Sequence, residues 1–412
     1  MNSIRLYAAT LVLVLVVGGS LWLLTRSASE PELTTGFLAQ HWQRPLLAQG
    51  QPPAHYSALE SSLAPAACGQ CHAQQYSDWS NSLHSQTMTA GVQWQLHLLP
   101  QDQANKCLDC HAPLAEQKAL VALQQQWPAA PQAALPDYVP ADLSNHGLVC
   151  AACHVRGQQR FGPLRRDGSG PVGLAHNGFT PRPEFSDSRF CASCHQFPDD
   201  GPRTAGKLRE DTYQEWLASD YPAQGIQCQS CHMPERRHQW QGIHTPEMVG
   251  RALTMDLQQQ GMNVIATLRN TGAGHNFPTY MVPEVKAQLW WADQGREQLL
   301  AEHVLGWKVS VDLQTELFDQ RLAPGAAVSF AATLPQASGQ VELRLQVAPR
   351  EHYERSFAQS VSYASQLDSG TLALLRQAIH EAAATRFHWP GPTLQISPAD
   401  VQAAPNPLPH HE

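Results

Sequence analysis

The pattern of apolar and polar positions divides the chain into four stretches. Leu6 to Leu24 contains no charged residue and lies between Arg5 and Arg26. As a helix it would reach roughly 28 Å, the thickness of a bilayer's hydrocarbon core. Residues 1–30 are therefore expected to form an N-terminal transmembrane anchor, an uncleaved signal-like helix, since Ser27-Ala28-Ser29 is a poor cleavage match. Residues 31–250 show little sustained periodicity and predict short helices joined by long loops. Ala115 to Gln126 reads as one helix and Thr212 to Ser219 as another, with an irregular Pro-rich wrap from Pro128 to Pro140.

From Leu253 the pattern becomes strand-like. Leu253–Leu257, Met262–Leu268, Val285–Trp291, Trp307–Leu313, Val328–Leu334 and Val341–Val347 alternate or are rich in β-formers, with turns at Asp293-Gln-Gly295 and Pro324-Gly325. Residues 251–358 are thus expected to form a small β-sandwich. Residues 359–412 are expected to hold a helix, from about Gln366 to Thr385, and a Pro/His-rich tail. The fold class that follows is α+β: an anchor, a region of short helices and loops, and a C-terminal sandwich plus helix.

The cysteines explain why the second stretch lacks a regular pattern. All ten fall in C-x-x-C-H motifs. The first is Cys68, Cys71 and His72, and the second is Cys107, Cys110 and His111. Cys150, Cys153 and His154 form the third, Cys191, Cys194 and His195 the fourth, and Cys228, Cys231 and His232 the fifth. Two thiols three positions apart reach the two vinyl groups of one haem, and the adjacent histidine then lies beneath the iron. Disulfides and zinc knuckles are the alternatives, but neither requires a histidine after every pair. Five covalently bound c-type haems are expected. The motif histidines are about forty residues apart, so porphyrin must supply much of the core.

Twenty histidines exceed what five motifs use. His84, His97, His146, His176, His238, His244 and His275 are within reach of the haem region. Of these, His84, His146, His176, His244 and His275 are taken as candidate distal iron ligands. Met88, Met233 and Met248 are expected to be core filler rather than thioether ligands. The formal net charge of −8 excludes nucleic acid as a natural partner.

Trp79-Ser80 with His84, Gly147-Leu-Val-Cys-Ala-Ala-Cys-His154, and Thr212-Tyr-Gln-Glu-Trp216 leading to Cys228-Gln-Ser-Cys-His-Met-Pro234 resemble the cytochrome c554 and hydroxylamine oxidoreductase-related multihaem superfamily. The Gly274-His-Asn-Phe-Pro-Thr279 turn is similar to members with a C-terminal sandwich. The resemblance spans roughly residues 60 to 355. It implies closely packed haem pairs with distal histidines supplied from far along the chain, and it supports His84 and His275 as ligands. The chain departs from the catalytic members in having five motifs rather than eight, no C-x-x-C-K, and no matching tyrosine to cross-link to a haem.

The expected function is electron transfer by a cytochrome anchored in the inner membrane, with its haem domain in the periplasm. Its expected partners are redox proteins, a quinol-linked membrane donor and periplasmic acceptors. The alternative is an oxidoreductase acting on a small nitrogen or sulfur oxyanion at one five-coordinate haem, with Arg203, Lys207 and Arg209 as nearby basic groups.

Overall fold

The computed structural model describes residues 30–166 and 175–399. The expected anchor at Leu6–Leu24 and the tail histidines lie outside the described residues. Among the described residues no helix is long and apolar enough to cross a membrane. Residues up to Arg44 form a unit of their own, whose described part is the helix Glu30–His41 and the three residues after it.

The unit from Pro45 onward begins with the haem-motif region. Its helices are short, and the motifs lie at helix ends. Pro65–Gly69 carries Cys68, and Cys71 and His72 follow in the turn. Gln101–His111, Cys150–His154, Ser188–His195 and Cys228–His232 each end on the motif histidine. A helical turn places the two cysteines and the histidine on one face. The expected helices appear as Ala115–Gln124 and Thr212–Leu217.

The C-terminal half is built from eight antiparallel strands in two sheets: β1 Leu253–Gln260, β2 Asn263–Asn270, β3 Glu284–Asp293, β4 Arg296–Val309, β5 Glu316–Asp319, β6 Ala327–Thr333, β7 Gln340–Ala348 and β8 Phe387–Gln395. The five-stranded sheet has the order β5-β4-β3-β7-β8 and the three-stranded sheet β6-β2-β1. Alternate side chains of β2, β3 and β7 point into one core that includes Val264, Leu268, Leu289, Leu343 and Leu345.

Six strands were expected, and the differences have physical causes. Arg296 to Leu305 is too charged to read as a strand, yet it forms most of β4 and pairs with β3. Trp307–Leu313 is the end of that strand and then a turn. β8 carries Pro390 and Pro392 and lies in the segment expected to be only helix and tail. Proline is tolerated there because β8 is an edge strand. The C-terminal helix runs Ser369–Ala383, its first turn capped by the Asp368 carboxylate, and an unforeseen helix, Glu351–Val361, precedes it. Phe357, Leu375 and Ala378 from these helices pack with Ala90 of the haem-motif region.

Leu343→Ala should cost about 2–5 kcal/mol, because it empties a fully buried site where both sheets meet. Denaturant unfolding of the haem-loaded protein would measure that loss.

Candidate haem-ligand site

All ten cysteines are thiols rather than disulfides, as the haem reading requires. The Cys68 thiol lies within hydrogen-bond reach of Cys150, and Cys228 within reach of Cys191. The first motif is thus brought against the third and the fourth against the fifth. Ser188 helps tie the latter pair. It is fully buried, its hydroxyl accepts the Cys228 N–H at 3.0 Å, and it donates to Gln227 Oε1 at 2.8 Å.

The sequence treats the ten cysteines alike, and the structure does not. Cys71 and Cys107 are exposed, whereas Cys110 and Cys194 are half-buried on the last turn of their helices. Cys110 lies near enough to Cys107, and Cys194 to Cys191, for its charge to help raise that partner's pKa, behind larger effects that include burial. Cys110 and Cys194 are therefore seen beside the first cysteine of their own motif, one helical turn on. The haem attachment expected of them rests on that spacing, while Cys68, Cys150, Cys191 and Cys228 also make contact between motifs.

The histidines carry the more specific signal. An imidazole nitrogen binds a first-row metal at about 2.0–2.1 Å, and the ring centre lies roughly 1.1 Å beyond, so two rings sharing one iron stand about 6.3 Å apart. His84 and His195 have ring centres 6.3 Å apart, His154 and His238 6.2 Å, and His232 and His275 6.3 Å. In each pair one ring belongs to a motif and the other comes from a distant segment. His176 is near enough to His72 for its charge to help depress that ring's pKa, behind the larger effect of burial.

Hydrogen bonds set the tautomer. Nδ1 faces a backbone carbonyl in His111 (Thr87 O, 2.9 Å), His154 (Phe161 O, 2.8 Å) and His232 (Gln241 O, 2.6 Å). The same holds for His176 (Gly178 O, 2.7 Å), His238 (Arg236 O, 2.9 Å) and His275 (Asn276 O, 2.8 Å). A carbonyl only accepts, so Nδ1 carries the hydrogen and the Nε2 lone pair is left for a metal. Burial lowers His84 to about 3 and His154 and His275 to about 4, which keeps these rings in the neutral, metal-binding form. The residues present therefore fit haem c on the motif cysteines with iron held by histidine.

Other expected ligands are placed differently. His146 is half-exposed, with Nε2 facing the Asp142 carboxylate at 3.4 Å and its ring beside Trp79. It is its backbone that is in use, the carbonyl accepting from Gln117 Nε2 at 3.0 Å. Nearness in sequence to Cys150 does not suffice, because a distal ligand must reach the iron from the face opposite the motif. His244 does not stand opposite a motif histidine at iron-spanning distance; its Nε2 is buried without a partner and burial lowers it to about 4. His97 bonds to Thr371 Oγ1 at 3.0 Å and serves helix packing. Met88 lies in a core with Leu96 and Leu108, as expected of filler.

His238, within reach in the sequence but outside the five distal candidates, takes such a place, and Trp240 and Gln241 beside it carry no motif of their own. One loop after the fifth motif supplies the His238 ring and the carbonyl that orients His232. It also supplies the Trp240 ring, which stands edge-on to both His84 (4.5 Å) and His238 (5.1 Å). The signal in the sequence was the density of His, Trp and Gln directly after Cys231-His232.

Among the described residues no histidine ring faces His111 at such a distance. A different set gathers near its motif: Tyr353 responds electrostatically to Cys107, Glu210 and Arg350, and Tyr280 to Tyr353, Glu210 and Arg350. Burial raises Tyr280 and pushes the Glu210 carboxyl up to about 7, while Tyr353 is exposed. The basic residues that the alternative reading offered, just after the fourth motif, are engaged with the protein itself. Lys207 bonds to Glu316 and Asp319, both at 2.7 Å, Arg209 to Thr204 and the Leu313 carbonyl, and Arg203 to the carbonyls of Asp199 and Gly206.

Residues 67–134 match the family model described as "Cytochrome c554 and c-prime". No curated protein matches the chain. Among solved structures it is similar to a penta-heme cytochrome c552 from Thermochromatium tepidum, with 19% identity, a TM-score of 0.52, and coverage of 75% of this chain and 96% of that one. With its cysteine motifs, the chain is a multihaem c-type cytochrome.

The geometry makes two further outcomes measurable. A Cβ at Gly147 would overlap both the His84 carbonyl and Thr87 Oγ1, so Gly147→Ala should displace the His84 segment. We expect a loss of about 1–3 kcal/mol in chemical unfolding, accompanied by a changed low-spin EPR signal. The second concerns Glu210, whose carboxyl is raised from 4.5 to about 7 in the folded protein. Between those values the native state holds the extra proton, so this group's contribution to stability falls as pH rises. Glu210→Gln should match the parent's melting temperature near pH 4.5 and exceed it at pH 8.

Proposed function

We propose that the protein is a pentahaem electron carrier. Leu6–Leu24 would anchor it in the inner membrane with the haem domain on the periplasmic side. It would take electrons from a quinol-linked membrane donor and pass them to periplasmic redox proteins. The observation that carries this reading is the set of histidine pairs at iron-spanning distance, His84/His195, His154/His238 and His232/His275. An iron with imidazole on both faces has no free position for a substrate and typically a low potential, which suits electron transfer. The bound haems supply the one-electron chemistry. The chain's own work is to fix the rings, exclude water, and bring motifs close enough for haem-to-haem transfer, as the Cys68/Cys150 and Cys191/Cys228 contacts support.

A second reading is favoured by one observation. Like His72, His111 has no histidine ring at iron-spanning distance among the described residues, and the titratable groups near its motif make the second haem the candidate for an open iron. Glu210, Tyr280, Tyr353 and Arg350 could there bind and protonate a small nitrogen or sulfur oxyanion.

Low-temperature EPR of the oxidised protein and carbon monoxide binding to the reduced protein separate the readings. The carrier reading expects five haems per chain, all low-spin, and no carbon monoxide complex. One high-spin iron that binds carbon monoxide, and that loses its histidine signature in His111→Ala alone, would instead put the enzyme reading first.

A further inference from the structure

Three of the histidines that approach motif histidines from afar have their backbone tied to a carboxylate on a remote segment. Asp78, on the helix Ala73–Ser80, is buried and accepts the His238 N–H on Oδ2 at 3.0 Å. The same carboxylate takes Arg237 in two bonds of 2.7 Å and Gln74 at 3.0 Å. Glu215, on the helix Thr212–Leu217, accepts both the backbone N–H of Asn276 (3.1 Å) and its side-chain amide (2.7 Å), directly after His275. Thr279 (2.7 Å) and Arg321 (2.9 Å) complete its shell, and the Arg321–Glu215 pair is only 9% exposed on each side. Glu60 accepts the His176 N–H at 2.7 Å and is itself held by Ser57 through its other oxygen.

These ties act where the backbone needs them. The loop carrying His238 has left-handed φ at Glu235 (55°), Arg236 (60°) and Trp240 (43°), and His176 itself stands at 46°. Non-glycine residues hold that conformation only when the surroundings impose it. The Nδ1 bond of each ring then goes to a carbonyl in the same segment, so fixing the peptide also fixes the direction of Nε2.

We propose that Asp78, Glu215 and Glu60 are positioning residues that hold the distal imidazoles of His238, His275 and His176 in place through their segments' peptide N–H groups. The inference rests on the reading of those histidines as distal ligands. Its consequence is that the sixth ligand of each of these irons depends on a carboxylate that touches neither the metal nor the ring.

The test uses the full-length, haem-loaded protein with Asp78→Asn, Glu215→Gln and His238→Ala, each checked for haem content and far-UV circular dichroism. His238→Ala should convert about one iron per chain to a high-spin, carbon monoxide-binding form. Asp78→Asn should open the same iron to a smaller extent, and Glu215→Gln a different one, with exogenous imidazole restoring the low-spin spectrum in both. If His238→Ala opens an iron but both carboxylate variants keep the parent spectrum and only melt earlier, the carboxylates are structural and the proposal is overturned. If His238→Ala leaves every iron low-spin, the ligand reading fails and the proposal with it. Should Asp78→Asn not accumulate, Glu215→Gln and Glu60→Gln pose the same question at other irons.

Discussion

Two imidazoles 6.2–6.3 Å apart with their Nε2 lone pairs free leave room between them for one metal ion, and the chain satisfies that constraint with segments far apart in sequence. The motif supplies only one of the two rings, because the helical turn that holds both cysteines cannot also reach the opposite face of a porphyrin. The second ring must come from elsewhere. His84 therefore serves toward His195, His238 returns to His154, and His275 crosses from the sandwich to His232. The short helices, long loops and tight turns of the motif region follow from this demand.

The sandwich is more than ballast on such a frame. Its large apolar core gives β2 and the turn after it a fixed position, and that turn carries His275. The Asn270 amide bonds to the carbonyls of His275 and Leu322, at 2.9 and 3.0 Å, which ties the His275 turn to the sheets. Arg321 reaches back to Glu215, so one buried ion pair joins the sandwich to the helix preceding the fifth motif. A buried pair of this kind adds little net stability over an apolar contact, but breaking it leaves a stranded charge. Its value here is geometric. Separately, Phe357, Leu375 and Ala378 lock the C-terminal helices against Ala90, so the haem-motif region is gripped at two places.

The loop from Arg236 to Thr245 concentrates several roles in ten residues. It offers a ring to one motif histidine and a carbonyl to another, and it sets Trp240 between His84 and His238. A chain with about forty residues per motif has no room for separate elements to do each of these. Dense use of a strained loop, held by Asp78, is the result.

The chemistry of attachment was legible from sequence because it is local: C-x-x-C-H needs only one helical turn, and Cys110 and Cys194 obey it as fully as the cysteines that also meet a second motif. Which motifs pair through their thiols was not legible, since that is a contact between segments. The core strands of the sandwich were legible, since period-two burial is written into Val264, Ala266 and Leu268 or Val341, Leu343 and Leu345. Strands whose pairing depends on neighbours, such as Arg296–Leu305 and the proline-bearing β8, were not. Distal ligation belongs to that second kind. His146 looked suitable by nearness to Cys150, yet faces Asp142, while His238 became a partner for His154. Sequence by itself determined which cysteines and histidine would hold each haem on its proximal side. Only the tertiary structure decided which distant histidine stands opposite a motif histidine, because that depends on where two distant segments place their rings in space.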